Sequence, residues 1–464
     1  MKEYIFPARV LEVSGGKNIE NLLKKQTLQI GLSEFCLTEF CEGEHVILDF
    51  GKEMCGGARI LTAWAKSVRV RLRFGESLSE CCSEIGGRQN ATNDHALRDF
   101  ETTLVDLSDM TFGNTGFRFL RIDFYGKAAI KSVVAENNIL KSKAIYRYDG
   151  DDERIREIYE AAKRTVDLCA SSGYVWDGVK RDRLVWIGDM HPEMLALTTL
   201  YGRLGAIERS LDYIREQTPL PAWMNTMPPY SLWWIIIIAD YYKRTGAKAF
   251  AQRQLGYLEE LLVQLDGCVR EDGELNYPSY FVDWPTHTQP DEIHGVRAIN
   301  IIAAKRAIEL LEAFGKDTAL AKRLLEKLLK IEVAPKSAKQ IFGLKYFATE
   351  LTENDKKMLV KGGACGMSTF MSYYILKAVA SFDKARAIEM MKEYYGAMLD
   401  KGATTFWEDF NIEWAENSCR IDEYPRDDQK DIHGDFGAFC YIGFRHSLCH
   451  GWSAGVIRFI EEEC

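Results

Sequence analysis

Asp151-Asp152-Glu153-Arg154-Ile155-Arg156-Glu157-Ile158-Tyr159-Glu160-Ala161-Ala162 is the stretch at which the chain changes its periodicity. Three acidic residues open it, as suits the positive end of a helix. Apolar residues then return at 155, 158, 159 and 162, the spacing of one helical face. Upstream the rule is different. In Ser67-Val68-Arg69-Val70-Arg71-Leu72-Arg73-Phe74 the apolar side chains fall on one face and the arginines on the other. That is a period of two, the mark of a strand with one buried face. His45 to Phe50 and Gly116 to Phe124 read the same way, and Gly86 to Asn93 is polar enough for a long loop. Short strands broken by Gly and Asn clusters favour a β-sandwich.

Downstream, helical stretches are expected near 190–204, 206–217, 230–244, 247–266, 296–314, 317–331, 353–361, 367–381, 384–399 and 450–462. No strand run interrupts them and no fixed repeat period marks a solenoid, so paired helices in an α/α barrel are expected. The expected class is therefore multidomain β + α: a β-sandwich over 1–145 and an (α/α)6 barrel over 146–464. Aromatic, Gly-rich linkers at 171–188, 268–295, 402–415 and 421–450 interrupt the helical part. Long connections inside a compact domain are usually functional.

Hydrophobic residues make up 47% and charged residues 27%, an ordinary soluble globular composition. The net charge of -9 argues against a nucleic-acid partner, which needs a basic face. The opening MKEYIFPARV lacks the pattern of a signal peptide. The longest apolar run, Trp233 to Ala239, is far shorter than the roughly 18 residues of a membrane span. Twelve cysteines without a CxxC pair suit a reducing compartment, so the expected location is cytoplasmic. No feature of the sequence sets an oligomeric state.

Four segments carry chemistry. Val175 to Asp189 holds Asp177, Arg181, Asp182, Trp186 and Asp189 just before a helix. Carboxylates accept hydrogen bonds from sugar hydroxyls, guanidinium groups fix their orientation, and indoles cover the apolar ring face. The competing reading is a solvated loop whose charges pair among themselves. Gly402 to Phe410 offers Trp407, Glu408 and Asp409 after a helix-breaking stretch, although a lone Glu-Asp pair is ordinarily a surface feature. His446 to Gly455 puts His450 and Trp452 at the mouth of the last helix; a structural histidine fits equally well. Ser279 to Pro285 holds Asp283 and Trp284, which could border a pocket. A metal at His287, Asp291 and His294 is the weaker alternative, since neither HExxH nor an EF-hand is present. Ser453 has the flanking glycines Gly451 and Gly455, but no strand run leads into it as a nucleophile elbow requires.

In this order the segments resemble glycoside hydrolase family 78, the bacterial α-L-rhamnosidases. The family's motif, approximately D-C-P-Q-R-D-E-R-L-G-W-T-G-D, is matched by Asp177 through Asp189, with Arg183-Leu184, Trp186 and Gly188-Asp189 in register and one residue fewer before them. Thr404-Thr405-Phe406-Trp407-Glu408 matches its T-T-x-W-E segment, and His450-Gly-Trp-Ser-Ala-Gly455 its late histidine. Leu48 to Gly57 and Phe74 to Leu78 look like the sandwich that precedes the family's barrel, and the chain is short for the family. The resemblance implies an inverting glycosidase for α-L-rhamnosides or a related deoxy-sugar glycoside. It needs no metal and no cofactor, and its partner is a carbohydrate. By position Asp182 is the general acid and Glu408 the general base. Asp177, Arg181, Trp186, Asp189, Asp283, Trp284, Trp407, His450 and Trp452 are the substrate-binding set. Where the family carries Glu this chain has Asp182, shorter by about 1.5 Å, between Arg181 and Arg183. The alternatives are a sugar-binding protein of the same fold that has lost turnover, or another α/α-barrel glycosidase or lyase, for which Tyr280 or Tyr424 would be the base.

Overall fold

The structure is a computed structural model describing residues 2–464 apart from Ala65; Met1 and Ala65, both within the part expected to be β, lie outside the described residues. Eight strands come first: β1 (Lys2–Ile5), β2 (Arg9–Ser14), β3 (Thr38–Phe40), β4 (His45–Thr62), β5 (Val68–Gly75), β6 (Asp99–Leu104), β7 (Asp109–Phe124) and β8 (Ala128–Asn138), with a short helix α1 (Leu78–Cys82) after β5. They form one antiparallel sheet in the order β1-β8-β4-β7-β5-β6, with β2 added on β4 and β3 on β8.

The two long strands organise it. β4 and β7 pair along their length, with register breaks between Asp49 and Met54 and between Gly56 and Ala58. The first half of β4 lies beside β2 and its second half beside β8. Bulges bend a strand, and both halves feed one apolar core: Val46 and Leu48 from the first, Ala58 and Ile60 from the second, with Val70, Leu72, Leu120, Ile122 and Val133. In β5, Val68, Val70, Leu72 and Phe74 are buried, as the alternation requires. Arg73 departs from the solvent face expected of it. It is buried, and ion pairs to Asp123 (2.9 Å) and Glu84 (3.2 Å) compensate its charge.

Twelve helices follow: α2 (Glu153–Cys169), α3 (Met190–Tyr201), α4 (Gly205–Gln217), α5 (Pro228–Thr245), α6 (Lys248–Gly267), α7 (Glu292–Ala313), α8 (Ala319–Leu328), α9 (Lys339–Ala348), α10 (Glu353–Val360), α11 (Ser372–Ala380), α12 (Lys384–Asp400) and α13 (Val456–Glu463). The acidic start of α2 works as read, with Asp152 accepting the Ile155 N–H (3.2 Å). Helices α3, α5, α7, α9 and α11 pack each on the next, and α13 packs on both α11 and α3. Helix α3 is buried along its whole length, whereas α8 hides only one face. No helix among the described residues is long and apolar enough to cross a membrane.

Sequence periodicity missed α9. Eight of its ten residues are buried, so it has no polar face to set a period. Its Gly343 shows why it can sit so deep. A β-carbon there would lie 2.9 Å from the backbone nitrogen of Ile375 in α11. Gly343→Ala is therefore expected to cost about 1–3 kcal/mol by forcing two backbones apart. Thermal melts would check this; an unchanged Tm would mean that α9 can shift freely.

Candidate active site

The long linkers of the helical part meet at one cavity of about 280 Å³. Backbone hydrogen bonds join them. Gly178 bridges His450, the Gly451 N–H donates to Asp177 O (2.7 Å), the His450 N–H to Phe406 O (2.9 Å), and the Glu408 N–H to Ser447 O (2.9 Å). Segments more than two hundred residues apart thus run side by side. Close packing dictates the glycines here: a β-carbon on Gly188 would enter the Tyr230 ring at 2.3 Å, and one on Gly451 would strike Glu193 Oε1 at 1.6 Å.

Asp177, Arg181, Asp182, Trp186, Asp189, Trp284, Glu408, His450 and Trp452 all line this cavity. Arg181 is its electrostatic centre. One guanidinium nitrogen contacts Glu408 Oε1, and the other lies 3.3 Å from Asp182 Oδ2. A single fork therefore keeps the nearest oxygens of the two carboxyls within roughly 8 Å of each other. Asp182 and Arg183 both take left-handed backbone (φ 54° each), which turns this loop back toward the cavity. Glu408 Oε2 accepts the Ser447 N–H (2.9 Å). Burial raises the Glu408 carboxyl above its ordinary range, while Arg181 and the Ser447 N–H pull it down.

Beneath them, burial drives Asp177 and Asp189 well above the usual carboxylate range. The charge of Asp182 adds to this at Asp177, and that of Glu408 at Asp189, where the Tyr230 hydroxyl opposes it. Asp177 accepts the Leu184 N–H (2.8 Å) and Asp189 the Tyr230 hydroxyl (2.9 Å). His450 Nε2 lies 3.9 Å from each of Asp177, Asp189 and Glu408. Burial, with Arg181 nearby, holds His450 well below its ordinary value, so it stands neutral. Its Nδ1 and the Trp186 Nε1 are buried donor or acceptor atoms without a protein partner. Buried polar groups are nearly always bonded, so these two suit a hydroxylated ligand.

Two residues expected in the binding set are placed elsewhere. Asp283 is buried behind the cavity wall, where it accepts from Thr286 N (3.2 Å) and Ser368 Oγ (2.7 Å) and so caps the turn carrying Trp284. Trp407 is fully buried, edge-on to Phe410 at 5.4 Å. Both support the wall rather than face the hollow. His287, Asp291 and His294 are also otherwise engaged. His287 bonds Glu292 (2.9 Å), Asp291 accepts the N–H groups of Lys336, Ser337 and Ala338, and His294 accepts that of Ala334 (3.3 Å). Tyr280 donates to Leu275 O (2.9 Å) and Tyr424 contacts Cys82 and Glu12, both outside the cavity.

Sequence reasoning did not find His95, Tyr230 or Arg445, which also line the cavity. His95 comes from the connection between β5 and β6, just past the loop read at 86–93, and its Nε2 lies 3.2 Å from Asp182. Its only sequence signal was that adjacent polar loop.

Behind the cavity, Glu76, Glu80 and His433 hold three ligand atoms within 4.8 Å of one another, a spacing suited to a metal. The ammonium of Lys180 already fills that centre, 3.3 Å from Glu76, 2.9 Å from Glu80 and 3.4 Å from His433. The donor set is that of a buried lysine. A second cavity of about 350 Å³ lies between helices α3, α5, α7, α9, α11 and α13, and among its cations Arg306, Lys377 and Arg458 are paired with Asp240, Glu463 and Glu461, and Lys243 and Arg244 with Glu309 and Glu461.

The neighbouring Asp409 gives a test of this electrostatic arrangement. Burial, with Glu408 beside it, pushes its carboxyl up to about 7. A carboxyl whose folded pKa exceeds its unfolded value favours the fold while protonated. That contribution is full below about pH 4 and fades as pH rises toward 7. Asp409→Asn is expected to flatten the decline of Tm between pH 4 and 7; melts at stepped pH that keep the wild-type slope would contradict it.

No family model matches this chain, and no curated protein matches it. Solved structures do. A rhamnosidase from Klebsiella oxytoca with rhamnose bound superposes with a TM-score of 0.76 at 19% identity, covering 100% of this chain and 96% of that one. A family 78 rhamnosidase of a Bacillus species gives 0.71 at 17% identity, over 96% of this chain and 48% of its own. The Streptomyces avermitilis α-L-rhamnosidase complexed with L-rhamnose gives 0.69 at 16%, over 91% of this chain and 43% of its own. The resemblance carried by the three motifs thus extends to the backbone: this chain has the fold of the family 78 α-L-rhamnosidases.

Proposed function

We propose that this protein is a glycoside hydrolase acting on α-L-rhamnosides or a closely related deoxy-sugar glycoside, by inversion. The observation that carries this is the shared hollow: Asp182 and Glu408, from distant segments, both line it and touch one guanidinium. Inversion needs two carboxyls about 6.5–9.5 Å apart with room for water, and the upper bound of roughly 8 Å set by Arg181 overlaps the lower part of that range. Glu408 takes a proton from water, and Asp182 gives one to the leaving oxygen. Asp177, Asp189 and His450 receive the sugar hydroxyls, and Trp186, Trp284 and Trp452 cover its faces. For Asp182 to act, its contact with Arg181 must open as substrate enters.

In this reading the strands form a β-sandwich over 1–145, and the succession α3, α5, α7, α9, α11, α13 is the inner ring of an (α/α)6 barrel over 146–464. The closing contact of α13 on α3 supports it. All twelve cysteines are unpaired, which suits the cytoplasm.

A second reading has its own observation. Arg181 grips both acids, and Asp182 is one methylene short of the family's residue, as suits a sugar-binding protein without turnover. Incubation with an aryl α-L-rhamnoside separates the two. Turnover dependent on Glu408, with β-L-rhamnose as the first anomer seen by proton NMR, supports the hydrolase. Rhamnose binding without turnover across a glycoside panel supports the binding protein.

A further inference from the structure

The strip His446-Ser447-Leu448 lies between the sheet and Glu408. On one side the Ser447 N–H donates to Glu408 Oε2 (2.9 Å). On the other the Ser447 hydroxyl donates to Glu76 Oε1 (3.0 Å), and the Leu448 N–H to Glu76 Oε2 (2.5 Å). Glu76 follows directly on β5, is fully buried, and does not line the cavity. It therefore touches no substrate. Its ion pair is with Lys180 (3.3 Å), whose ammonium also donates to His446 O (2.6 Å) at the head of the same strip. Lys180 is followed in the chain by Arg181, which holds Glu408 Oε1. Both oxygens of Glu408 are thus aimed by groups anchored on Glu76, Oε2 through Ser447 and Oε1 through the Lys180-Arg181 step.

We propose that Glu76 is a positioning residue for Glu408, by which the N-terminal sheet sets the orientation of the proposed base; the catalytic part of this rests on the hydrolase reading. The chemistry explains why a carboxylate stands there. A hydroxyl, an amide N–H and an ammonium converge on it, all donors, and an ionised carboxyl is acceptor-only. An amide at this place would turn its NH2 toward one of the three. The N-terminal part, whose described residues supply His95 to the cavity rim, would then reach the reaction centre from behind as well.

The test reads Glu408 directly. Glu76→Gln and Ser447→Ala are compared with wild type in kcat and KM on an aryl α-L-rhamnoside. The Glu408 carboxyl is also titrated by 13C NMR, its signal assigned by loss in Glu408→Gln. The charged or titratable groups facing Glu408 include Arg181, Lys180, Asp177, Asp182, Asp189, Asp409 and the neutral His450, and neither substitution removes any of these. Misplacement of a base by a fraction of an ångström is expected to lower kcat about tenfold in Glu76→Gln, with KM within about twofold. The Glu408 midpoint should rise as the Ser447 donor drifts away. Ser447→Ala should move both in the same direction but less, and the double variant should be no worse than Glu76→Gln. A fall in Tm with kcat and the Glu408 midpoint unchanged overturns the proposal. If Glu76→Gln does not fold, Ser447→Ala decides. If the wild type cleaves no glycoside, the hydrolase reading fails, and the midpoint alone decides the positioning claim.

Discussion

Glu408→Gln is expected to lower kcat by about 10²–10⁴-fold, the usual contribution of a positioned acid or base. The substitution keeps the shape and removes the proton-accepting charge. It also meets an unusual constraint. Both oxygens of Glu408 face donors, Arg181 on one side and the Ser447 N–H on the other. A glutamine has one acceptor end and must turn its NH2 on one of them, at a cost of about 1–3 kcal/mol. The variant should therefore lose stability as well as turnover, and its Tm should be measured beside its rate. Steady-state hydrolysis of an aryl α-L-rhamnoside is the decisive measurement. Activity within tenfold of wild type would remove Glu408 from the role of base.

Lys180→Met is the second large effect, and it falls on stability. Lys180 is fully buried and lies against Glu76, Glu80 and His433. Methionine fills much the same volume but leaves Glu76 without its cation and Glu80 to Arg98 at 3.5 Å. Breaking a buried ion pair from one side costs about 3–5 kcal/mol. The penalty has a pH signature. Burial pushes Glu76 up to about 7 against the pull of Lys180, so Glu76 is mostly neutral in mild acid and charged above neutrality. The variant should be nearest to wild type near pH 5 and furthest from it near pH 8. Denaturant melts at the two pH values would show this, and an equal loss at both would mean that Glu76 carries no charge in the fold.

The change from β to α at residue 151 was legible because strand and helix periods differ, and stretches such as β5 and α2 each bury residues at their own period. Helix α9 was not, because burial on all sides erases the period. At the site, Asp177, Arg181, Trp186, Asp189, Glu408, His450 and Trp452 were picked out through the family motifs, loop composition alone leaving them open, and they line the cavity. Asp283 and Trp407 look the same in sequence, and only packing separates a residue behind the wall from one on it. Tyr230 was hidden in an apolar helix start, and His95 and Glu76 in the connection between β5 and β6. His95 meets Asp182, 87 positions further on, and Glu76 meets Ser447 and Leu448, 371 and 372 positions further on. No local pattern encodes such a meeting.

The return of α13 onto α3 has a consequence for biosynthesis. Helix α3 ends at Tyr201, and the helix that covers it begins at Val456. At a ribosomal pace of about 5–20 residues per second, the greasy flank of the earlier helix waits roughly 13–50 s for its cover to be made. During that interval the nascent chain displays a nearly finished apolar wall with one panel missing, the state in which chaperones find their clients and neighbouring chains find each other.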